Sequence, residues 1–148
     1  MFAVNAGAIL AKQSEQVIVQ LNELGKTLGL IFQIKDNELG LFGDTKKIGK
    51  PVGSDIREGK KTLYYYYLLQ KIDRKEKVLN AFGNQDLDEN GVKEVLALIE
   101  EQGIKKMVNK DLIELKILAK KQINNLLVTI EMKKMMNQFL DKTANRVR

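Results

Sequence analysis

The stretch Ser14–Gly43, SEQVIVQLNELGKTLGLIFQIKDNELGLFG, decides the fold class of this 148-residue chain. Apolar residues recur through it at Val17, Leu21, Leu24, Leu28, Ile31, Phe32 and Leu39. These steps of three, four and seven mark one face of a helix, sustained to about residue 41. Ser14 offers a side-chain oxygen at the helix start, and Glu15 puts a carboxylate in the first turn, near the positive end of the helix dipole. Gly43 ends the run. Gly25 and Gly29 sit four apart inside it, which lowers helix propensity and predicts close approach by a second helix.

Working outward, most of the chain reads the same way. Residues 2 to 11 are small and apolar, which predicts a helix buried all round. Helices are expected from about Lys61 to Lys71 and over residues 75 to 82. Asp88 can cap another running to Gln102, with Gly103 as its stop. From Ile104 helical spacing continues through Ile113, Leu115, Ile117, Leu118, Ile123, Leu127 and Ile130. The one long loop-like segment is residues 43 to 60, GDTKKIGKPVGSDIREGK, with four Gly and the only Pro. The expectation is an all-α helical bundle forming a single domain over residues 1–148. A hydrophobic content of 44% and a charged content of 30% suit a soluble globular protein. Aromatics at 6%, with no Trp, speak against a strand-rich sandwich.

The absences narrow the chemistry. With no Cys there is no disulfide, thiol nucleophile or cysteine metal site. With no His, the commonest general base and zinc ligand are gone. What remains is carboxylates, Lys, Arg, Tyr, amides, or a hard metal held by oxygen. The charge is basic, 25 Lys and Arg against 19 Asp and Glu, which favours anionic partners. No aromatic interleaving or recognised module points to nucleic acid. No apolar run reaches the ~18 residues of a membrane span, so no transmembrane segment is expected. The N-terminal MFAVNAGAILAKQ lacks a basic region before its apolar stretch, which argues against a secretory signal and for the cytoplasm.

One constellation carries chemistry. Gln33, Asp36, Asn37 and Gly40 stand at i, i+3, i+4 and i+7 and share a helix face. The following segment holds Lys46, Lys47, Lys50, Arg57, Lys60 and Lys61 against Asp44, Asp55 and Glu58. An acidic helix face beside a cationic glycine loop suits a polyphosphate bound through magnesium. Mg²⁺ takes one or two carboxylates and leaves its other positions to phosphates and water. Lysines neutralise the remaining phosphate oxygens. Read alone, the 33/36/37 face is more often a solvated helix face than a site.

The residues GLIFQIKDNELGLFGD (29–44) and IGKPVGSDIREGKKTL (48–63) together resemble the trans-isoprenyl diphosphate synthases, especially archaeal-type geranylgeranyl diphosphate synthases. The pattern GxxFQxxD, FGD, GKPxGSD and REGKKTL resembles the region of that family's second aspartate-rich motif. LDENGVKEVLALIEEQG is compatible with the family's later helices and less diagnostic. The resemblance covers essentially the whole chain and corresponds to the C-terminal half of the family's usual length. It implies the isoprenoid-synthase helical bundle and magnesium-dependent head-to-tail condensation of isopentenyl diphosphate with an allylic diphosphate.

By the same resemblance, Phe32 and Gln33 match the family's FQ, whose Gln faces the allylic substrate. Asp36 matches the first Asp of the DDxxD motif, a magnesium ligand, and Asn37 stands at its second position. Lys50 and Lys60 match lysines that bind the allylic diphosphate and assist its departure. Asp55 matches the loop aspartate of the substrate-binding set. Asn37 keeps an oxygen but loses a charge, and Gly40 stands at the third position, where the archaeal-type members that the chain resembles also accept Gly. Glu38 is a poor substitute, because two residues along a helix turn it away from Asp36.

The family's first aspartate-rich motif and its homoallylic-site arginines find no match here. The resemblance therefore implies an N-terminal partner, or a full-length synthase subunit, in a homo- or hetero-oligomer. The alternative is a non-catalytic helical interaction subunit or an inactive remnant of such an enzyme. Lys46, Lys47 and Lys61 read as solvated lysines. Tyr64 to Tyr67 point around a whole helix, so some pack and some meet solvent. Met132, Met135 and Met136 read as core filler, and the basic C-terminus as a solvated tail.

Overall fold

The computed structural model describes residues 2–43, 49, 51–73 and 75–146. Among these, the regular structure is entirely helical. The helices are α1 (Phe2–Leu10), α2 (Glu15–Phe42), α3 (Ser54–Arg57), α4 (Leu63–Lys71), α5 (Lys75–Ala81), α6 (Glu89–Glu101), α7 (Ile104–Asn125) and α8 (Ile130–Ala144). None of them is long and apolar enough to cross a membrane. The described residues form two compact units, one from residues 2–33 and 112–146, the other from those between 34 and 111.

In the first unit, α2 starts where its sequence says it should: Val17 N–H donates to Ser14 Oγ at 3.4 Å. Its face of Val17, Leu21, Leu24, Leu28 and Ile31 is buried, as are Ala119, Ile123 and Leu140 of α7 and α8. The continuous helix expected from Ile104 onward is broken between Asn125 and Ile130. Thr129 caps the new helix, its hydroxyl accepting from Met132 N–H at 3.4 Å. The Gln20 side chain holds the turn from α2, donating to Asn125 O at 3.2 Å and accepting from Leu127 N–H at 3.3 Å. Three further expectations change. The first helix is not buried all round: Ile9 and Leu10 are exposed, and of its described side chains only Ala8 is buried. Apart from the surrounding turns of its own helix, no described atom lies within 4 Å of where a Gly29 Cβ would stand, so no other described element approaches closely there. Met132 and Met135 are exposed, as are Ile113, Ile117, Ile130 and Phe139, rather than core filler. The side chain of Phe2 lies outside the described residues.

In the second unit, α4, α5 and α6 pack against one another. Leu68, Val78, Val95, Ile99 and Ile104 are fully or almost fully buried. Thr62 caps α4, accepting from Tyr65 N–H at 3.3 Å. Asp88 caps α6, accepting from Gly91 N–H at 2.7 Å. The tyrosine run divides by helical angle: Tyr64 and Tyr65 are buried, Tyr66 is exposed, and Tyr67 donates to Asp111 Oδ2 at 2.6 Å. Burial pushes the Tyr64 phenol well above its ordinary range, with Glu38 and Glu100 adding to the shift. The segment expected as loop contains a helical turn, α3, followed by Gly59 at φ +68°. A Cβ on Gly59 would come within 3.0 Å of the Gly83 backbone, so two chain reversals meet where only glycine fits.

Candidate functional site

The last turns of α2 belong to the second unit and carry Asp36, Asn37 and Gly40. Asp36 is half-buried, and Asn37 is only 7% exposed. Glu38 is drawn into an ion pair with Lys35, at 2.5 Å on the same helix.

The turn α3 brings the loop aspartate to this helix. Ser54, Asp55 and Ile56 are all buried. The Asp55 carboxylate lies over Gly40, its atoms 2.4 Å from where a Gly40 Cβ would be. Because Gly40 is one turn along from Asp36, this places the Asp55 carboxylate beside the acidic face. Lys60 Nζ reaches Asp55 Oδ1 at 2.6 Å and Glu58 Oε2 at 3.2 Å. The hydrogen bond with Asp55 raises the Lys60 ammonium above its usual range; partial burial opposes the shift and Glu58 reinforces it. Lys60 is therefore a fixed cation at neutral pH. Asp55 Oδ2 and Ser54 Oγ are buried without a hydrogen-bond partner among the described residues.

The structure thus brings together Asp55 and Lys60, beside the helix that carries Asp36 and Asn37. Lys50, Lys46 and Lys47 lie outside the described residues. Phe32 and Gln33 sit in the first unit, both exposed. The Arg146 guanidinium stands 4.9 Å from the Phe32 ring centroid, so part of the basic C-terminus packs on an aromatic face. Arg57, counted by sequence among the loop cations, is spent on structure. Its Nε donates to Leu87 O at 2.9 Å and its Nη1 to Val52 O at 3.2 Å. Sequence reading did not anticipate Glu58 as the second partner of Lys60, or Asp55 over Gly40. Their spacing of two and five residues around Lys60 was the available signal.

Among the described residues no group of three or more carboxylates could hold a metal by itself. If Asp36 and the Asn37 amide were to hold a metal, so few donors would suit only an ion bringing its other oxygens along. Magnesium arriving on a diphosphate is such an ion.

Residues 1–99 match the family described as Polyprenyl synthetase. The chain is 42% identical over 100 residues to a short chain isoprenyl diphosphate synthase of Methanocaldococcus jannaschii, a match covering 66% of this chain and 31% of that protein. It is 36% identical over 100 residues to a geranylgeranyl diphosphate synthase of Saccharolobus solfataricus, covering 66% and 30%. Among solved structures, it matches a Corynebacterium glutamicum geranylgeranyl pyrophosphate synthase complexed with isoprenyl diphosphate and magnesium. The TM-score is 0.86 at 26% identity, over 95% of this chain and 40% of that one. A Pyrococcus horikoshii geranylgeranyl pyrophosphate synthetase matches with a TM-score of 0.78 at 28% identity, over 90% and 41%. The chain therefore spans about a third of the curated relatives by sequence.

Proposed function

This chain belongs to the polyprenyl synthetase family, and from that premise we propose that it is the C-terminal, diphosphate-binding part of a magnesium-dependent isoprenyl diphosphate synthase. The complete enzyme would join isopentenyl diphosphate to an allylic diphosphate. The allylic carbon–oxygen bond breaks, a carbon–carbon bond forms, and the alkene loses a proton. Geranylgeranyl diphosphate synthase-like chemistry is the best-supported class, and the cytoplasm its proposed place. The observation that carries this reading is the Lys60–Asp55 pair seated against the α2 turn that follows Asp36. It sets an ion-paired ammonium on the segment that Asp55 joins to the α2 turn at Gly40.

In this proposal Asp36 and Asn37 hold the metal, and magnesium supplies charge neutralisation for the departing diphosphate. Lys60 and Lys50 meet the non-metal oxygens, where negative charge grows as the bond breaks. Phe32 and Gln33 contact the allylic substrate. Asp55 holds Lys60 in place. The first aspartate-rich motif comes from further polypeptide, an N-terminal half or a full-length subunit. The exposed apolar side chains of α7 and α8, Ile113, Ile117, Ile130, Met135 and Phe139, support such a partner surface. The burial of Asn37, an amide where the motif has a carboxylate, favours a second reading, a non-catalytic subunit of the same bundle.

Titration calorimetry with magnesium pyrophosphate tests the first reading. Wild type should bind, and Asp36→Ala and Lys50→Ala should each weaken binding about tenfold or more. Equal binding by all three, or a loss confined to Lys46→Ala, would refute the assignment.

A further inference from the structure

Gly40 stands in the middle of a helix turn, where glycine costs about 0.5–1 kcal/mol relative to alanine. The reason for it lies fifteen positions along the chain. A Cβ at residue 40 would meet Asp55 Cγ, Oδ1 and Oδ2, each at 2.4 Å, closer than any stable contact. The carboxylate therefore occupies the volume a side chain at position 40 would need. It has little room elsewhere, since Asp55 is 2% exposed and its neighbour Ile56 is fully buried. One carboxylate oxygen takes the Lys60 ammonium at 2.6 Å, and the other has no partner among the described residues. Burying a charged oxygen without a partner is costly, so the arrangement is held by what surrounds it.

We propose that Gly40 is a positioning residue: its bare Cα seats the Asp55 carboxylate, and the seated carboxylate fixes the Lys60 ammonium where it meets an incoming diphosphate. The part concerning diphosphate rests on the function proposed above; the seat itself does not. In this reading the loop delivers a carboxylate to the place the helix leaves open at the motif's third position. Two carboxylates, Asp55 and Glu58, occupy two of the three ammonium donors of Lys60 and leave one for a ligand oxygen.

A double-mutant cycle tests it. In an open helix Gly40→Ala would raise the denaturation midpoint. With Asp55 seated, it should lower the midpoint; in an Asp55→Ala background, where the space is free, it should raise it. Lys60 is followed through its ε-carbon by NMR, assigned with Lys60→Arg. Its titration midpoint should fall in Gly40→Ala and in Asp55→Ala, and fall no further in the double variant. If Gly40→Ala does not fold, Asp55→Ala alone must still lower the Lys60 midpoint, and the double variant must fold. Equal effects of Gly40→Ala in the two backgrounds, or an unmoved Lys60, would overturn the proposal. Magnesium pyrophosphate binding, measured on the same four proteins, should weaken about tenfold in Gly40→Ala. If no protein binds pyrophosphate while the cycle behaves as expected, the seat stands, and its diphosphate role falls with the proposed function.

Discussion

Restoring the missing carboxylate with Asn37→Asp separates a metal-binding position from a structural one. Asn37 is 7% exposed and lies next to Asp36 on the same helix. The substitution hardly changes volume but places a charge where water is nearly excluded and a like charge is close. Losing or mismatching a buried polar contact costs about 1–3 kcal/mol, and taking an added charge out of water costs more. For a domain near this size, each kcal/mol moves Tm by about 2–4 °C. Without metal, the variant should therefore melt about 4–10 °C below wild type. The penalty follows pH with a defined sign. A buried carboxylate has its pKa raised above the unfolded value of about 4, so the penalty is absent below that pH and grows above it. Magnesium with pyrophosphate should reverse the loss, because a second carboxylate adds attraction where a hard cation sits. The assay is thermal denaturation of both proteins, with and without the ligand, at acidic and neutral pH. Equal melting of the two proteins at neutral pH would mean that position 37 tolerates the charge, and a deficit that the ligand does not reduce would mean that it does not face the metal.

Gly29→Ala should stabilise the chain by about 0.5–1 kcal/mol, since the helix gains and no described atom is displaced; a lower denaturation midpoint would contradict the open environment seen there. Leu68→Ala, at a fully buried position, should cost about 2–5 kcal/mol, whereas Leu79→Ala, at a half-exposed one, should cost under about 1 kcal/mol in the same urea titration. The Lys60 ammonium is held above its ordinary value of 10.5, so its pairing contributes fully below that pH and is lost as pH rises through the raised value. The stability gap between wild type and Lys60→Met should then stay flat through neutral pH and close only in alkali. Light scattering should find the purified chain self-associated through its exposed apolar side chains. A well-behaved monomer at tens of micromolar would show that these faces need no cover.

The long helix was legible because its cap, period and stop all agree: Ser14 bonds Val17, the apolar face is buried, and the helix ends at Phe42. The Asp88 cap and Gly103 stop were legible for the same reason. The break between α7 and α8 was hidden by apolar spacing that runs straight through it, at Ile123, Leu127 and Ile130. What stabilises that break is Gln20, 105 residues away from Asn125. The methionines of α8 have the composition of a core, but whether a core faces them is a tertiary fact. At the site, motif spacing picked out Asp55 and Lys60, which the fold pairs. The sequence also displayed Gly40 as a departure. Its reason, a carboxylate arriving from the loop, is a contact no local pattern encodes.

The central claim is that this chain contributes one diphosphate-binding face to a prenyl transferase. It is tested most directly by co-expressing it with a polyprenyl synthetase N-terminal half carrying the first aspartate-rich motif. Conversion of isopentenyl and allylic diphosphates to longer prenyl diphosphates is then measured in the copurified complex. Product is expected from the complex with magnesium and none from the purified 148-residue chain, with a loss of at least about a hundredfold in Asp36→Ala. Turnover by the 148-residue chain alone, or a stable complex with no turnover, would contradict it.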